Sequence, residues 1–138
     1  MRLPLLLSLL VPLLSACVST PLPEHDPKQA WVDLSAVPGK TILAERLDGQ
    51  RLEDGRYFQM PPGRHELLIR YDYEISRGGG PFGEPQDRMC YLTVRYDNFA
   101  AGQRYVLQAQ DIALQASARL FDPQKNILAE DQDITCLP

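Results

Sequence analysis

Arg64-His-Glu-Leu-Leu-Ile-Arg-Tyr-Asp-Tyr-Glu-Ile75 carries the plainest structural signal in the chain. Its odd positions are His65, Leu67, Ile69, Tyr71, Tyr73 and Ile75, while Glu66, Arg70, Asp72 and Glu74 fill the even ones. Only Leu68 breaks the order. A period of two sustained over this length predicts a strand with one face in a core and the other in water.

The neighbouring segments repeat the pattern. Cys90, Leu92, Val94 and Tyr96 alternate with Tyr91, Thr93 and Arg95, and Tyr105 and Leu107 point inward from a strand over Arg104–Ala109. Ile112, Leu114, Ala116, Ala118 and Leu120 alternate again up to Phe121. The Ala, Leu and Gln content of Asp111–Ala118 also suits a helix, although strand is preferred. Before the central stretch, strands are expected at Ala30–Leu34, around Trp31, at Thr41–Leu47 and at Arg56–Met60. A last one is expected at Ile127–Glu130. Turn residues separate them: Pro38-Gly39, Asp48-Gly49, Pro61-Pro62-Gly63, Gly102 and Asp122-Pro123. No segment shows a helical stripe. The fold class expected is therefore all-β, a single antiparallel β-sandwich of about seven strands spanning residues 30–138.

Part of this framework resembles a known family. Asp54-Gly-Arg-Tyr-Phe58 followed by Met60-Pro-Pro-Gly-Arg-His-Glu-Leu-Leu-Ile-Arg-Tyr71 is similar to the proline-glycine turn and rising strand of PEGA-type β-sandwich domains. Ala101-Gly-Gln-Arg-Tyr105 resembles a turn-strand unit of small Gram-negative envelope lipoproteins. The resemblance implies a sandwich and brings no catalytic residues with it.

The amino terminus supplies an address. Arg2 precedes an apolar run over residues 3–14, which ends in Leu14-Ser15-Ala16-Cys17. The run contains Pro4 and Pro12 and is short of the about 20 apolar residues that a membrane span needs. A positive start, a short apolar segment and small residues before a cut make a secretory signal. A cysteine at the cut resembles the lipobox of bacterial lipoproteins. Membership implies that residues 1–16 are a signal peptide and that Cys17 is acylated as the first mature residue. Such lipoproteins carry three acyl chains (palmitate among them), enough for stable anchoring where one chain is marginal. Val18 stands where an Asp would favour inner-membrane retention. The expected location is thus the periplasmic face of the outer membrane of a Gram-negative cell. Residues 17–29, with Pro21, Pro23 and Pro27, read as a lipidated cysteine and a flexible proline-rich tether that lets the domain stand off the membrane. No second hydrophobic run follows, so the mature chain is expected to be soluble apart from its lipid.

Charge and cysteines narrow the function. The chain has 14 Lys and Arg against 18 Asp and Glu, a formal charge of −4, and loss of Arg2 with the signal makes it one unit more negative. Such a chain gains nothing from counterion release, so no nucleic-acid partner is expected. Of three cysteines, Cys17 is taken by lipid, which leaves Cys90 and Cys136 as a pair in an oxidising compartment. A disulfide between them is expected, with two free thiols as the alternative.

Catalytic chemistry is poorly represented. His25 lies in the tether, and His65, on the inward face, reads as a hydrogen-bonded residue at the edge of the core. No H-x-x-x-H or C-x-x-C spacing suggests a metal. Ser19, Ser35, Ser76 and Ser117 occur in neither G-x-S-x-G nor S-x-x-K. Asp72 and Glu74 read as a solvated strand face, and Glu130-Asp-Gln-Asp133 lacks the glycine and terminal glutamate of a calcium loop. No catalytic residue, metal or cofactor is therefore expected. One loop is unusual: Arg77-Gly-Gly-Gly-Pro-Phe-Gly-Glu-Pro-Gln-Asp-Arg88. A strand follows it rather than a helix, which argues against a phosphate cradle. Arg77, Phe82 and Arg88 make it a candidate partner loop, against the plainer alternative of an unstructured hairpin tip.

Two functions are carried forward. The first is a lipid-anchored, non-enzymatic module that touches an envelope protein or glycan, by strand addition at sheet edges or by insertion of Phe82. The alternative is a small-ligand-binding or enzyme-inhibitor lipoprotein with a pocket lined by Tyr71, Tyr73, Tyr91 or Tyr96.

Overall fold

The alternation of residues 64–75 becomes one of two long hairpin arms that organise the molecule. In the computed structural model, which describes residues 17–76 and 83–138, the strands are β1 (Ala30–Ala36), β2 (Thr41–Leu47), β3 (Gln50–Arg51), β4 (Tyr57–Met60), β5 (Gly63–Ser76), β6 (Pro85–Phe99), β7 (Arg104–Ile112), β8 (Gln115–Phe121) and β9 (Ile127–Leu137). There is no helix among the described residues. The fold is all-β. The signal peptide expected at 1–16 lies outside the described residues.

The strands hydrogen-bond in one continuous order, β3-β2-β5-β6-β9-β8-β7-β1-β4. Among the described residues nine strands are present where about seven were expected; the two-residue β3 was not foreseen, and the strand expected from Ile112 to Phe121 begins only at Gln115. Every pairing is antiparallel except β1 with β7, which run parallel from Trp31↔Arg104 to Ala36↔Ala109. The wholly antiparallel expectation is corrected there. Neither strand's own alternation encodes a partner so distant in the chain.

Directly opposed residues share a face, so the inward positions form rows. Tyr71 faces Cys90, which faces Cys136. Ile69 faces Leu92, and Leu107 faces Leu120, which faces Ala129. Leu67, Ile69, Tyr71, Leu92, Val94, Leu107 and Leu120 are fully buried, as are Phe58 and Met60 from β4. Each such side chain contributes about 1.5–3 kcal/mol relative to an exposed one.

Turn chemistry sets the registers. Asp48 and Gly49 both adopt positive φ, 50° and 81°, the conformation of a two-residue hairpin turn. The turn from β7 to β8 has the same form at Ala113 (φ 50°) and Leu114 (φ 71°), with neither glycine nor asparagine. The alternation expected from Ile112 through Leu120 therefore breaks: Ile112 and Leu114 are 64% and 53% exposed, while Ala116, Ala118 and Leu120 are buried.

β9 changes partner midway. Ile127–Glu130 pairs with β8, whereas Asp131–Leu137 pairs with β6. The register shifts at the crossing, and the Asp131 carboxylate accepts the Ala118 backbone N–H at 2.7 Å where the β8 ladder ends. Near the opposite end of the order, the β3–β4 connection covers β2. Leu52 donates to Glu45 O at 3.1 Å and Ala44 to Gly55 O at 2.8 Å.

The proline-rich segment is tied down at its far end. His25 Nε2 bonds Gln29 O at 2.6 Å, the Asp26 N–H donates to Gln59 Oε1, and Gly102 donates to Gln29 O. Gly102 (φ +74°) sits where a Cβ would approach Pro27 O to 3.3 Å. Tyr57 stacks on Trp31 and His25 packs against it at a tilt, and Trp31 is buried there. His25 thus belongs to the folded surface.

Candidate binding site at the open end of the sheet

β5 and β6 outrun their neighbours. The last β2 pair is Thr41↔Asp72 and the last β9 pair is Met89↔Leu137. From Tyr73↔Arg88 to Ser76↔Pro85 the hairpin stands without them. At the same end β8 and β9 diverge, because the C-terminal half of β9 has crossed to β6. The strand edges of Gln115–Ala118 and Asp133–Leu137 are left facing a gap, with no ladder between them.

The gap is a cavity of about 240 Å³ lined by Tyr73, Arg88, Leu114, Gln115, Ala116, Ile134 and Cys136. A second cavity of about 250 Å³ runs under the hairpin along Ile75, Gln86, Arg88 and Leu137. A third, of about 510 Å³, lies along Arg70, Asp72, Glu74 and Asp87 and again reaches Arg88. Arg88 therefore lines all three. It opposes Tyr73, an inward residue, so it sits on the face that elsewhere in the sheet forms the core. It is half-buried and forms no ion pair among the described residues, in contrast to Arg70, Arg95, Arg104 and Arg119.

A rigid floor supports the gap. Cys90 and Cys136 are joined as a disulfide across β6 and β9, as expected. The Tyr73 hydroxyl donates to Leu114 O at 3.2 Å and lies 3.7 Å from Cys90 Sγ. Tyr73 stacks on Tyr71 with ring centres 5.1 Å apart. The Tyr71 hydroxyl donates to Asp111 Oδ1 at 2.7 Å, and Lys40 forms an ion pair with the same carboxylate. Burial pushes the Tyr71 phenol far above its ordinary value, and the Asp111 carboxylate adds to that. Burial alone would raise Asp111 too, but the bonds from Lys40 and Tyr71 outweigh it and hold the carboxyl below its ordinary value.

The residues singled out from sequence are distributed unevenly. Arg88 is at the site. Arg77 and Phe82 lie outside the described residues. Cys17 is exposed and is the one cysteine without a partner. His65 bonds Asp48 Oδ2 and Pro61 O, each at 2.6 Å, at the far end of β5. Asp72 is engaged by Arg70. Glu130, Asp131 and Asp133 are held by Arg119, Ala118 N and Arg95. No three His, Cys, Asp or Glu among the described residues are grouped to hold a metal.

The tyrosines do not line a common pocket. Tyr71 and Tyr73 are in the core. Tyr96 packs on Phe99 and Tyr105, and Tyr91 lies on the outer face opposite Arg70. Leu114, Ala116 and Ile134 belong to the site and were not visible as such in the sequence. The one signal available was an apolar residue at what proves to be a hairpin turn. No family model, curated protein or solved structure matches the chain.

Proposed function

We propose that this chain is a bacterial lipoprotein whose β domain is a non-enzymatic, partner-binding module of the cell envelope, anchored through Cys17 at the periplasmic face of the outer membrane. The observation that carries the reading is the division of cysteines. Cys90 and Cys136 consume one another, and the one left over, which is exposed, is the cysteine of Leu14-Ser15-Ala16-Cys17. A disulfide also suits an oxidising compartment. The strands from β3 to β6 and from β8 to β4, hinged through β9, are read as the two layers of a sandwich, in keeping with the PEGA-type resemblance.

Binding rather than chemistry is the better use of the open end. The polar groups of the gap are Arg88, Gln115 and two strand edges, and the Tyr73 phenol beside it is a buried donor committed to Leu114 O rather than a nucleophile. Such an end offers backbone ladders and an anion contact to another molecule. Of the four tyrosines of the alternative reading, Tyr73 lines the gap, while Tyr71 is buried in the core, Tyr96 packs on Phe99 and Tyr105 and Tyr91 lies on the outer face, so that reading is supported by one side chain.

The experiment is intact-mass analysis and membrane fractionation of the native protein beside Cys17→Ala, with a photo-cross-linker at Leu114 on the native form. The expected mature chain begins at Cys17, bears acyl chains and cross-links to an envelope component. A native chain beginning at Met1 without lipid would remove the anchoring, and absence of any cross-linked envelope component would remove the partner.

A further inference from the structure

The gap between β8 and β9 has three properties that together select a ligand. First, it is bordered by two strand edges. Ala118 N points across it to Asp131. Ala116, two residues earlier on the same strand, presents its backbone to the same side by the period of a strand, and no β9 residue pairs with it there. Second, its lips are apolar: Leu114 is 53% exposed and Ile134 46%. Third, Arg88 lies within it, half-buried and in no ion pair among the described residues. A half-buried guanidinium is favoured by an anionic partner, and its fork matches a carboxylate through two parallel bonds.

We propose that this gap is a strand-addition site for an extended peptide segment of a partner protein that carries a carboxylate, the peptide backbone completing the ladder on β8 at Gln115–Ala118 and the carboxylate binding Arg88. The inference rests on the partner-binding reading above and assigns it a place and a ligand chemistry. The backbone edges explain why the segment must be extended. Leu114 and Ile134 accept its apolar side chains, which alternate along a strand. The disulfide and the Tyr73–Leu114 hydrogen bond hold both walls in place, so little ordering entropy is spent on binding. The carboxylate comes either from a peptide C-terminus or from an Asp or Glu side chain; both present the same planar pair of oxygens.

The test uses the full chain in detergent micelles and three synthetic peptides. They are acetyl-Val-Thr-Val-Thr-Val with a free carboxylate, the same peptide as its C-terminal amide, and acetyl-Val-Thr-Asp-Thr-Val-amide. Titrations are followed by the backbone amide resonances of Ala116, Ile134 and Cys136. At least one acid-bearing peptide is expected to shift these resonances, and the neutral amide to bind about tenfold more weakly, the scale of one charge-assisted contact. Which acid binds better identifies the carboxylate source. Arg88→Gln, which breaks no ion pair of the folded chain, is expected to abolish the difference while leaving the denaturation midpoint unchanged. Equal affinity for acid and neutral peptides, shifts confined to residues outside the gap, or no binding by any of the three would overturn the proposal. The cross-link of the native protein to an envelope component is read independently. Its persistence in Arg88→Gln would place the partner elsewhere on the surface, and its absence from the native form would end the wider reading instead.

Discussion

Tyr71 donates its phenolic proton to Asp111 at 2.7 Å and so joins the middle of β5 to the end of β7, strands that are not neighbours in the sheet. Lys40, from the turn between β1 and β2, reaches the same carboxylate. Three separate parts of the chain thus meet at one oxygen. Tyr71→Phe removes one bond to a charged acceptor from a fully buried side chain, and a loss of about 1.5–3 kcal/mol is expected. Asp111→Ala should cost more, since it strands both the Tyr71 hydroxyl and the Lys40 ammonium. Urea denaturation of the two variants and the double variant would measure the coupling. Additive losses would show that the two side chains do not act as a pair.

The same carboxylate gives the fold an acid limit. Asp111 titrates below its ordinary value of 3.8 in the folded chain. A group depressed in this way contributes stability above its unfolded pKa and loses it as pH falls through the folded one. The stability gap between wild type and Asp111→Asn should therefore be constant from pH 7 to about 5 and shrink as the pH falls through 3.8 and below. Asp33, depressed first by its hydrogen bond to Arg104, keeps its own acid sensitivity in both proteins. Denaturation midpoints from pH 7 to about 2 would check this; a gap that widened in acid would reverse the assignment.

The strand faces were legible in the sequence because a period of two records burial residue by residue. Leu67, Ile69, Tyr71 and Tyr73 of β5, and Cys90, Leu92 and Val94 of β6, are buried as their alternation requires, and the hairpin at Asp48-Gly49 has the backbone its residues favour. What failed was non-local or hidden in backbone strain. The parallel β1–β7 pair joins the first strand to one some seventy residues on. The crossing of β9 depends on Asp131 substituting for a ladder bond. The turn at Ala113-Leu114 carries no turn residue at all. The candidate site is built from the last two of these features, so only Arg88, Tyr73 and the disulfide beneath them were visible beforehand.

The disulfide should matter to stability as well as to the site. It joins residues 46 positions apart, a span whose closure restricts the unfolded chain by about 4 kcal/mol. Removing both thiols, as Cys90→Ala with Cys136→Ala, avoids a stray cysteine. A drop of about 3–4 kcal/mol is expected, together with faster hydrogen exchange at residues 133–137, the part of β9 held by β6 alone. Unchanged exchange there would show that the β6 ladder holds the C-terminus without the bond.

The β7–β8 turn gives the opposite expectation, a substitution that stabilises. Ala113 and Leu114 both adopt the left-handed backbone, which costs an L-residue with a Cβ about 1–2 kcal/mol. Asn and Gly adopt it readily, and Asn-Gly is the preferred pair for a two-residue hairpin turn. Leu114 is 53% exposed, so its side chain contributes little to the core, and its carbonyl can still accept the Tyr73 bond. Ala113→Asn with Leu114→Gly should therefore raise stability by about 1 kcal/mol after the entropy of an added glycine is deducted. The retained strain is then a cost borne for the apolar lip that Leu114 gives to the β8–β9 gap, and the stabilised variant should bind the acid-bearing peptides less well. A rise in denaturation midpoint with undiminished peptide binding would separate the strained turn from the site and leave its sequence without a functional reason.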